Sequence, residues 1–223
     1  MYDLAPVLGT ESRTALAPGS SLLLADAGGA DIDEWLFALL VDGLQDGDGA
    51  VVVSTDEPAT AVVDALAERG AVDPQALCVI ECDGDDRSRR TLDNGVFVYS
   101  VPGPDDLTGI GIGLAACFER LEAAGYERSR VGFRSLSSIL DAAGEQAAFK
   151  FAHVVTSRLG SAEFLGVFGL EQPYDPESKR ILGEAFDRTI ELKTTTDGTK
   201  RRVQDRQRRP DAWEAVDSPG SGR

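Results

Sequence analysis

SLLLADAGGADIDEWLFALLVDG, residues 21–43, decides the fold. It begins in a short apolar run, SSLLLA from Ser20 to Ala25, whose unbroken hydrophobicity reads as a strand buried on both faces. Gly28 and Gly29 then turn the chain, and Trp35, Leu36, Leu39 and Leu40 recur at helical spacing up to Gly43. A second buried strand follows at AVVVS (Ala50–Ser54). Strand, glycine turn, helix, strand is the opening of an α/β domain with a parallel sheet.

The same alternation continues outward. The stretch from Pro58 to Arg69, with Val62, Val63 and Leu66 and a stop at Gly70, reads as a helix. LCVIE (Leu77–Glu81) reads as a third strand, and VFVYSV (Val96–Val101) as a short strand or an edge. Asp105 and Asp106 can cap a helix that runs through Phe118 and Leu121 to Gly125. RVGFRSLSSIL (Arg130–Leu140) opens as a strand and leaves through its serines. Phe149–Leu159 is a helix, EFLGVFGL (Glu163–Leu170) a strand, and Ser178–Ala185 a short helix. RTIELKTT and KRRVQDRQ then flank Asp197-Gly198, a hairpin signal that predicts antiparallel strands with exposed arginines over Lys193–Arg209. The expected architecture is one domain over 1–209, mostly parallel with an antiparallel C-terminal hairpin, and a loose tail over 210–223.

Composition narrows the function. The chain has 223 residues, 38 acids against 22 bases and a formal charge of −16, and 18 of those bases are arginine. Carboxylate-rich, lysine-poor surfaces stay hydrated in concentrated salt, where screening suppresses self-repulsion, so the acidity reads as adaptation to a salt-rich cytoplasm. Three cysteines (Cys78, Cys82, Cys117) and one histidine (His153) supply neither a disulfide framework nor a zinc-ligand set. The first twenty residues lack a basic start followed by a long apolar stretch, and no window approaches the roughly 18 apolar residues of a membrane span. A cytoplasmic protein is expected.

Strand, glycine turn and helix also form the setting of a phosphate-binding loop, in which backbone N–H groups and the helix dipole cradle phosphate. Residues 21–43, with LQDGDGAVVVSTDEPATAVVDALAERG after them, resemble the opening of KaiC-type proteins of the RecA superfamily. In that family a lysine and a hydroxyl residue complete the loop, and an acidic pair follows the next strand. Laid over that pattern, Asp26, Gly28, Gly29, Asp31, Ile32 and Asp33 occupy the loop; Ile32 replaces the lysine, Asp33 the hydroxyl residue, and Asp26 and Asp31 two glycines. RVGFRSLSSIL resembles the segment that carries the magnesium-side acid, but Arg134 stands in its place. The acidic pair survives as Asp56-Glu57.

Extra aspartates where a polyanion should sit are unfavourable, since a like-charge contact at about 4 Å costs roughly 1 kcal/mol in water and about 4 at a semi-buried boundary. The same acids suit a helix start, so the loop reads as capped by its own carboxylates. Asp56 and Glu57 read as helix-start caps, and Arg134 as a partner for the new aspartates. A divalent-metal site built from Asp26, Asp31 and Asp33 is the alternative; the leading expectation is no metal and no cofactor.

PGPDDLTGIGIGL, SLSSIL, FKFAHVVTSRL and VFGLEQPYDPESKRILGEAFDRTIEL resemble, more closely, a haloarchaeal HTR-like or KaiC-like family, many of whose members lack the loop lysine. The resemblance spans roughly Ser20 to Trp213 and implies a RecA-like fold and a role in regulation or signalling. It supplies no catalytic residue. Asp106, Leu107, Thr108, Gly109 and Gly111 read as a tight helix start. Three functions are then open. The first is a non-catalytic scaffold acting through protein partners or self-association. The second is an unconventional nucleotide-binding ATPase, for which Arg158 or the terminal arginines would have to replace the lysine. The third is nucleic-acid binding through the hairpin, where Lys193, Lys200, Arg201, Arg202, Arg206, Arg208 and Arg209 face only Asp197 and Asp205. A charged edge strand that discourages aggregation accounts for the same residues.

Overall fold

The computed structural model describes residues 1–9, 15–84, 86–172, 174–206 and 208–219. A short strand β1 (Tyr2–Asp3), a one-turn helix α1 (Ala5–Leu8) and β2 (Ala15–Leu16), paired back on β1, precede the main domain. Then come β3 (Ser21–Asp26), α2 (Ile32–Gln45), β4 (Gly49–Ser54), α3 (Ala59–Ala67), β5 (Leu77–Glu81), β6 (Ser88–Thr91), β7 (Phe97–Ser100) and α4 (Leu107–Ala123). The second half runs β8 (Ser129–Phe133), α5 (Leu136–Ala143), α6 (Glu145–Ser161), β9 (Leu165–Leu170), α7 (Pro176–Gly183), β10 (Arg188–Thr195), β11 (Gly198–Asp205) and β12 (Glu214–Ala215).

Strands β3 to β12 form one sheet in the order β12-β11-β10-β3-β9-β8-β4-β5-β7-β6. The seven from β10 to β7 run parallel, while β11, β12 and β6 are antiparallel to their neighbours. The apolar runs are unbroken because both faces are covered. Leu22 and Leu24 of β3 join Val52, Val79, Trp35 and Leu40 in a core under α2 and α3. Leu23 and Ala25 point the other way, to Val51, Ile80, Leu114 and Phe151 under α4 and α6. Phe133 and Phe168 stack there with ring centroids 4.5 Å apart.

Several boundaries differ from the sequence reading, each for a local reason. Glu163, expected in a strand, has φ +58° and ends α6 as its left-handed residue, so β9 starts at Leu165. The serines after Phe133 do not merely lead out: Ser135 accepts from Ser138 N at 3.1 Å and starts α5. The hairpin turns at Thr196-Asp197, because Thr195 pairs with Gly198, which takes φ +109° as the first residue of β11. The expectation of exposed arginines fails at Arg201, which is 4% exposed and donates to the Leu8 carbonyl of α1.

Nor is the segment after Pro210 loose throughout. Asp211 N donates to Val203 O at 2.8 Å, β12 pairs with β11, and Val216 N donates to Thr199 O at 3.0 Å. Trp213 lies between Lys193 Nζ and Arg202 Cζ, 3.9 and 4.7 Å from its ring centroid. Unpaired strand groups on β11 and two cations over one indole ring hold this stretch against the sheet.

At the opposite side of the sheet, buried Glu81 ties three elements together. It accepts from Ala59 N of α3 at 3.0 Å, from Ser100 Oγ of β7 at 2.7 Å, and from Arg90 Nη2 of β6 at 2.8 Å. The hydrogen bonds from Arg90 chiefly, with those from Ala59 and Ser100, outweigh burial and bring its pKa down to about 2. A folded pKa below the ordinary value of 4.5 means stability that is complete above pH 4.5 and lost as pH falls toward 2. Glu81→Gln should therefore cost about 2 kcal/mol at pH 7, after discounting the half-exposed Arg90 for screening. The gap between variant and native denaturant midpoints should close as pH falls through that window; a gap independent of pH would contradict this account.

Candidate functional site

Ligands of open α/β sheets bind beyond the carboxyl ends of the parallel strands. Here that edge gathers Asp26 at the end of β3, Ser54 at the end of β4, Arg134 after β8 and Glu171 after β9. Arg134 and β9 approach so closely that a Cβ on Gly169 would lie 2.2 Å from the Arg134 carbonyl, so only glycine fits.

The loop between β3 and α2 is occupied by its own side chain. Asp26 Oδ1 accepts from Gly28 N at 2.7 Å and Ala30 N at 3.0 Å, while Gly28 and Gly29 take φ +151° and +72°. Ala27 N donates to Leu192 O at 2.7 Å and Thr194 N to Gly28 O at 3.0 Å, which fastens the loop to β10. Asp31 caps α2 by accepting from Glu34 N at 3.1 Å. Ile32, at the position the resemblance gives to lysine, is 1% exposed and belongs to the core under α2.

Asp33 turns to Arg134. Its two oxygens accept from Nε at 3.2 and 3.1 Å, and its Oδ2 also from Nη2. Arg134 Nη1 reaches Ser54 Oγ at 3.0 Å, Glu57 Oε2 at 3.1 Å and Asp56 Oδ1 at 3.3 Å, and the guanidinium lies 5.5 Å from the Phe37 ring centroid. Arg134 is 5% exposed. Burial pulls its pKa down, but the hydrogen bonds and charge of Asp33, with Asp56 and Glu57, leave it above the ordinary value. Burial raises the Asp33 carboxyl, with Arg134 opposing, and burial raises Glu171, helped by the Asp33 charge. One guanidinium thus serves a group of carboxylates where the resemblance places phosphate and magnesium.

Asp56 and Glu57 do not cap α3, contrary to the sequence reading. The cap position is Pro58, with no side-chain bond, and Ala59 N is satisfied by Glu81. Proline's fixed φ pushes the acids one residue further out, and Arg134 collects them there. The three loop aspartates also part company: Asp26 serves the loop, Asp31 the helix and Asp33 the arginine. Among the described residues no three His, Cys, Asp or Glu side chains form a metal-binding group.

The hairpin residues also separate. Lys200 is half-buried and Arg206 exposed, Arg201 is inside, and Arg202 pairs with Glu191. Arg158 donates to the Gly111 carbonyl at 3.3 Å on α4. At the DLTGIG segment, Asp106 caps α4 by accepting from Gly109 N at 3.0 Å and pairs with Arg87. Arg87 is the first cause of the fall in its pKa.

Two ionic clusters had no clear sequence signal. Arg130, 0% exposed, sits at the amino ends of the strands between Asp42 and Asp48. Glu191 of β10, 4% exposed, takes both Lys179 and Arg202. Arg130 opens a run that reads as a strand, and Glu191 lies in one that reads as the first strand of the hairpin, and neither pattern names a partner for the charge.

No curated protein matches the chain. Among solved structures it is similar to a KaiC-like protein from the hyperthermophilic archaeon Pyrococcus horikoshii, with a TM-score of 0.58 at 15% identity, over 86% of this chain and 80% of that one. That likeness concerns the fold, a RecA-like α/β domain of KaiC-like type. Residues 19–192 match the model of a family of unknown function, DUF7504, and the chain belongs to that family.

Proposed function

We propose that this chain is a non-catalytic RecA/KaiC-like protein that acts through protein partners or self-association, in regulation or signalling in a salt-rich cytoplasm. The observation that carries the reading is the Asp26 carboxylate on Gly28 N and Ala30 N. These are amides that a phosphate would need, and a side chain fixed two residues away competes with no loss of translational freedom. Ile32 in the core and Arg134 at the metal side support the same reading, as each removes one half of the charge that holds magnesium nucleotide. With catalysis gone, the retained RecA-like body is left with surfaces for other proteins.

Calorimetry and thermal-shift titration with ATP, ADP and GTP plus magnesium, in molar salt, should give no heat and no shift at sub-millimolar nucleotide. A clear shift that Gly28→Val abolishes would overturn the non-catalytic reading. Ile32→Lys should not create binding, because it puts an ammonium into a packed core and leaves Asp26 on the amides.

A further inference from the structure

The hairpin that carries the basic run has two unlike faces. Ile190, Leu192 and Val203 face the core, while Thr189 and Glu191 of β10 stand opposite Gln204 and Arg202 of β11 on the other face. Helix α7 walls this polar face and leaves a cleft of about 500 Å³, within the roughly 300–1,000 Å³ of small-ligand sites. On a chain of charge −16, the lining of this cleft is positive: Lys179, Arg180, Arg202 and Arg206 against Glu184 and Glu191.

The charge at its floor does not balance. Glu191 is the shared partner of Lys179 Nζ and of Arg202, whose Nε donates to Oε2 at 2.5 Å. One carboxylate neutralises one cation, so among the described residues a unit of positive charge is left over in a half-buried place. Burial first, and the Arg202 charge second, lower the Lys179 pKa, as expected of a cation short of a counter-ion. At the rim, among the described residues, Arg180 pairs with exposed Glu184 and Glu177, at 3.2 and 3.8 Å, a kind of pairing that contributes little. Arg206 is exposed beside it.

We propose that this cleft binds a small phosphate monoester. A dianion fits an excess of positive charge at the floor with two exposed arginines at the rim, and arginine and lysine are the side chains that recognise phosphate oxygens. The volume of the cleft, with α7 as one wall, suits a ligand of small-molecule size. The cleft borders the β3–α2 loop at Ala27, but its charged lining residues lie on or next to α7, β10 and β11, and the proposed ligand needs no magnesium.

Trp213 provides the readout. Its ring lies 4.7 Å from the Arg202 guanidinium, whereas the other tryptophan, Trp35, is buried in the core. Tryptophan emission should change saturably with inorganic phosphate and with glycerol phosphate, at constant ionic strength and without magnesium or nucleotide, and not with chloride. Trp213→Phe should abolish the signal yet keep the phosphate-dependent thermal shift. Lys179→Gln should raise the half-saturating phosphate concentration tenfold or more. Arg206→Gln, an exposed change that leaves the packing alone, should raise it several-fold and keeps the test open if Lys179→Gln unfolds. No saturable response beyond that to chloride, or a response undiminished in Arg206→Gln and in any folded Lys179→Gln, overturns the proposal. Failure here leaves the reading of the β3–α2 loop untouched, because no probe in the titration is a magnesium nucleotide.

Discussion

Arg130→Leu is expected to lower the folding free energy by about 3–5 kcal/mol, the range for removing one partner of a buried ion pair. Arg130 Nη1 donates to Asp42 Oδ2 at 2.9 Å and to the Leu39 carbonyl at 2.6 Å, and Nε to Asp48 Oδ2 at 3.1 Å. Asp48 is 2% exposed, and half-exposed Arg128 is its other cation, at 3.1 Å. Leucine would leave that carboxylate nearly alone in the protein. Burial already raises the Asp42 carboxyl against the pull of Arg130, and loss of the guanidinium would raise it further. A folded pKa above the unfolded one means a cost fully present at neutral pH and relieved as pH falls through the raised value. Urea midpoints at fixed salt should show the Arg130→Leu deficit shrinking as pH falls from 7 into the acid range. Adding Asp48→Leu should recover much of the loss, since apolar packing can replace a buried pair. A deficit under about 1 kcal/mol, or one unchanged with pH, would contradict this account.

Arg130 also shows how much of the fold and site was legible in the sequence. The apolar runs located β3, β4, β5, β8 and β9, because strands covered on both faces must be apolar throughout. The same signal hid what was not apolar. SRRT of β6 is exposed at all four positions and gave nothing to find, so β7 was read as a possible edge when it is interior. Gly43 was read as a helix stop, but α2 continues to Gln45. The glycine is there because a Cβ would lie 2.3 Å from Arg130 Nε. At the site, residue types were informative and partners were not. Aspartates in the loop and an arginine after β8 announced a changed charge pattern, and the arginine does meet Asp33. Which aspartate would go to the amides, the helix or the arginine depends on geometry that spacing alone does not contain.

Arg134→Gln is expected to cost about 3 kcal/mol, and Asp33→Asn only about 1–2, with the double variant less destabilised than the two together by about 1–3. The asymmetry follows from the arrangement. Without Asp33, Arg134 keeps Glu57, Asp56 and Ser54; without Arg134, Asp33 loses its guanidinium and faces Asp56 and Glu171. Burial has already raised the Asp33 and Glu171 carboxyls, so removing the cation drives them further up. The Arg134→Gln deficit should therefore be largest at neutral pH and shrink as pH falls and these groups protonate. It should also shrink in molar salt, because half-exposed Asp56 and Glu57 are screened there. Denaturant midpoints for the four proteins, at two pH values and two salt concentrations, read all of this at once. The combination Arg134→Asp with Ile32→Lys restores the formal charges of a nucleotide site, yet it should still fail to bind magnesium ATP. Asp26 remains on Gly28 N and Ala30 N, and the new lysine starts from a core position. Additive losses at Arg134 and Asp33 would show that the arginine is a bystander at this edge of the sheet, and ATP binding by that combination would show that Asp26 does not keep phosphate from the loop amides.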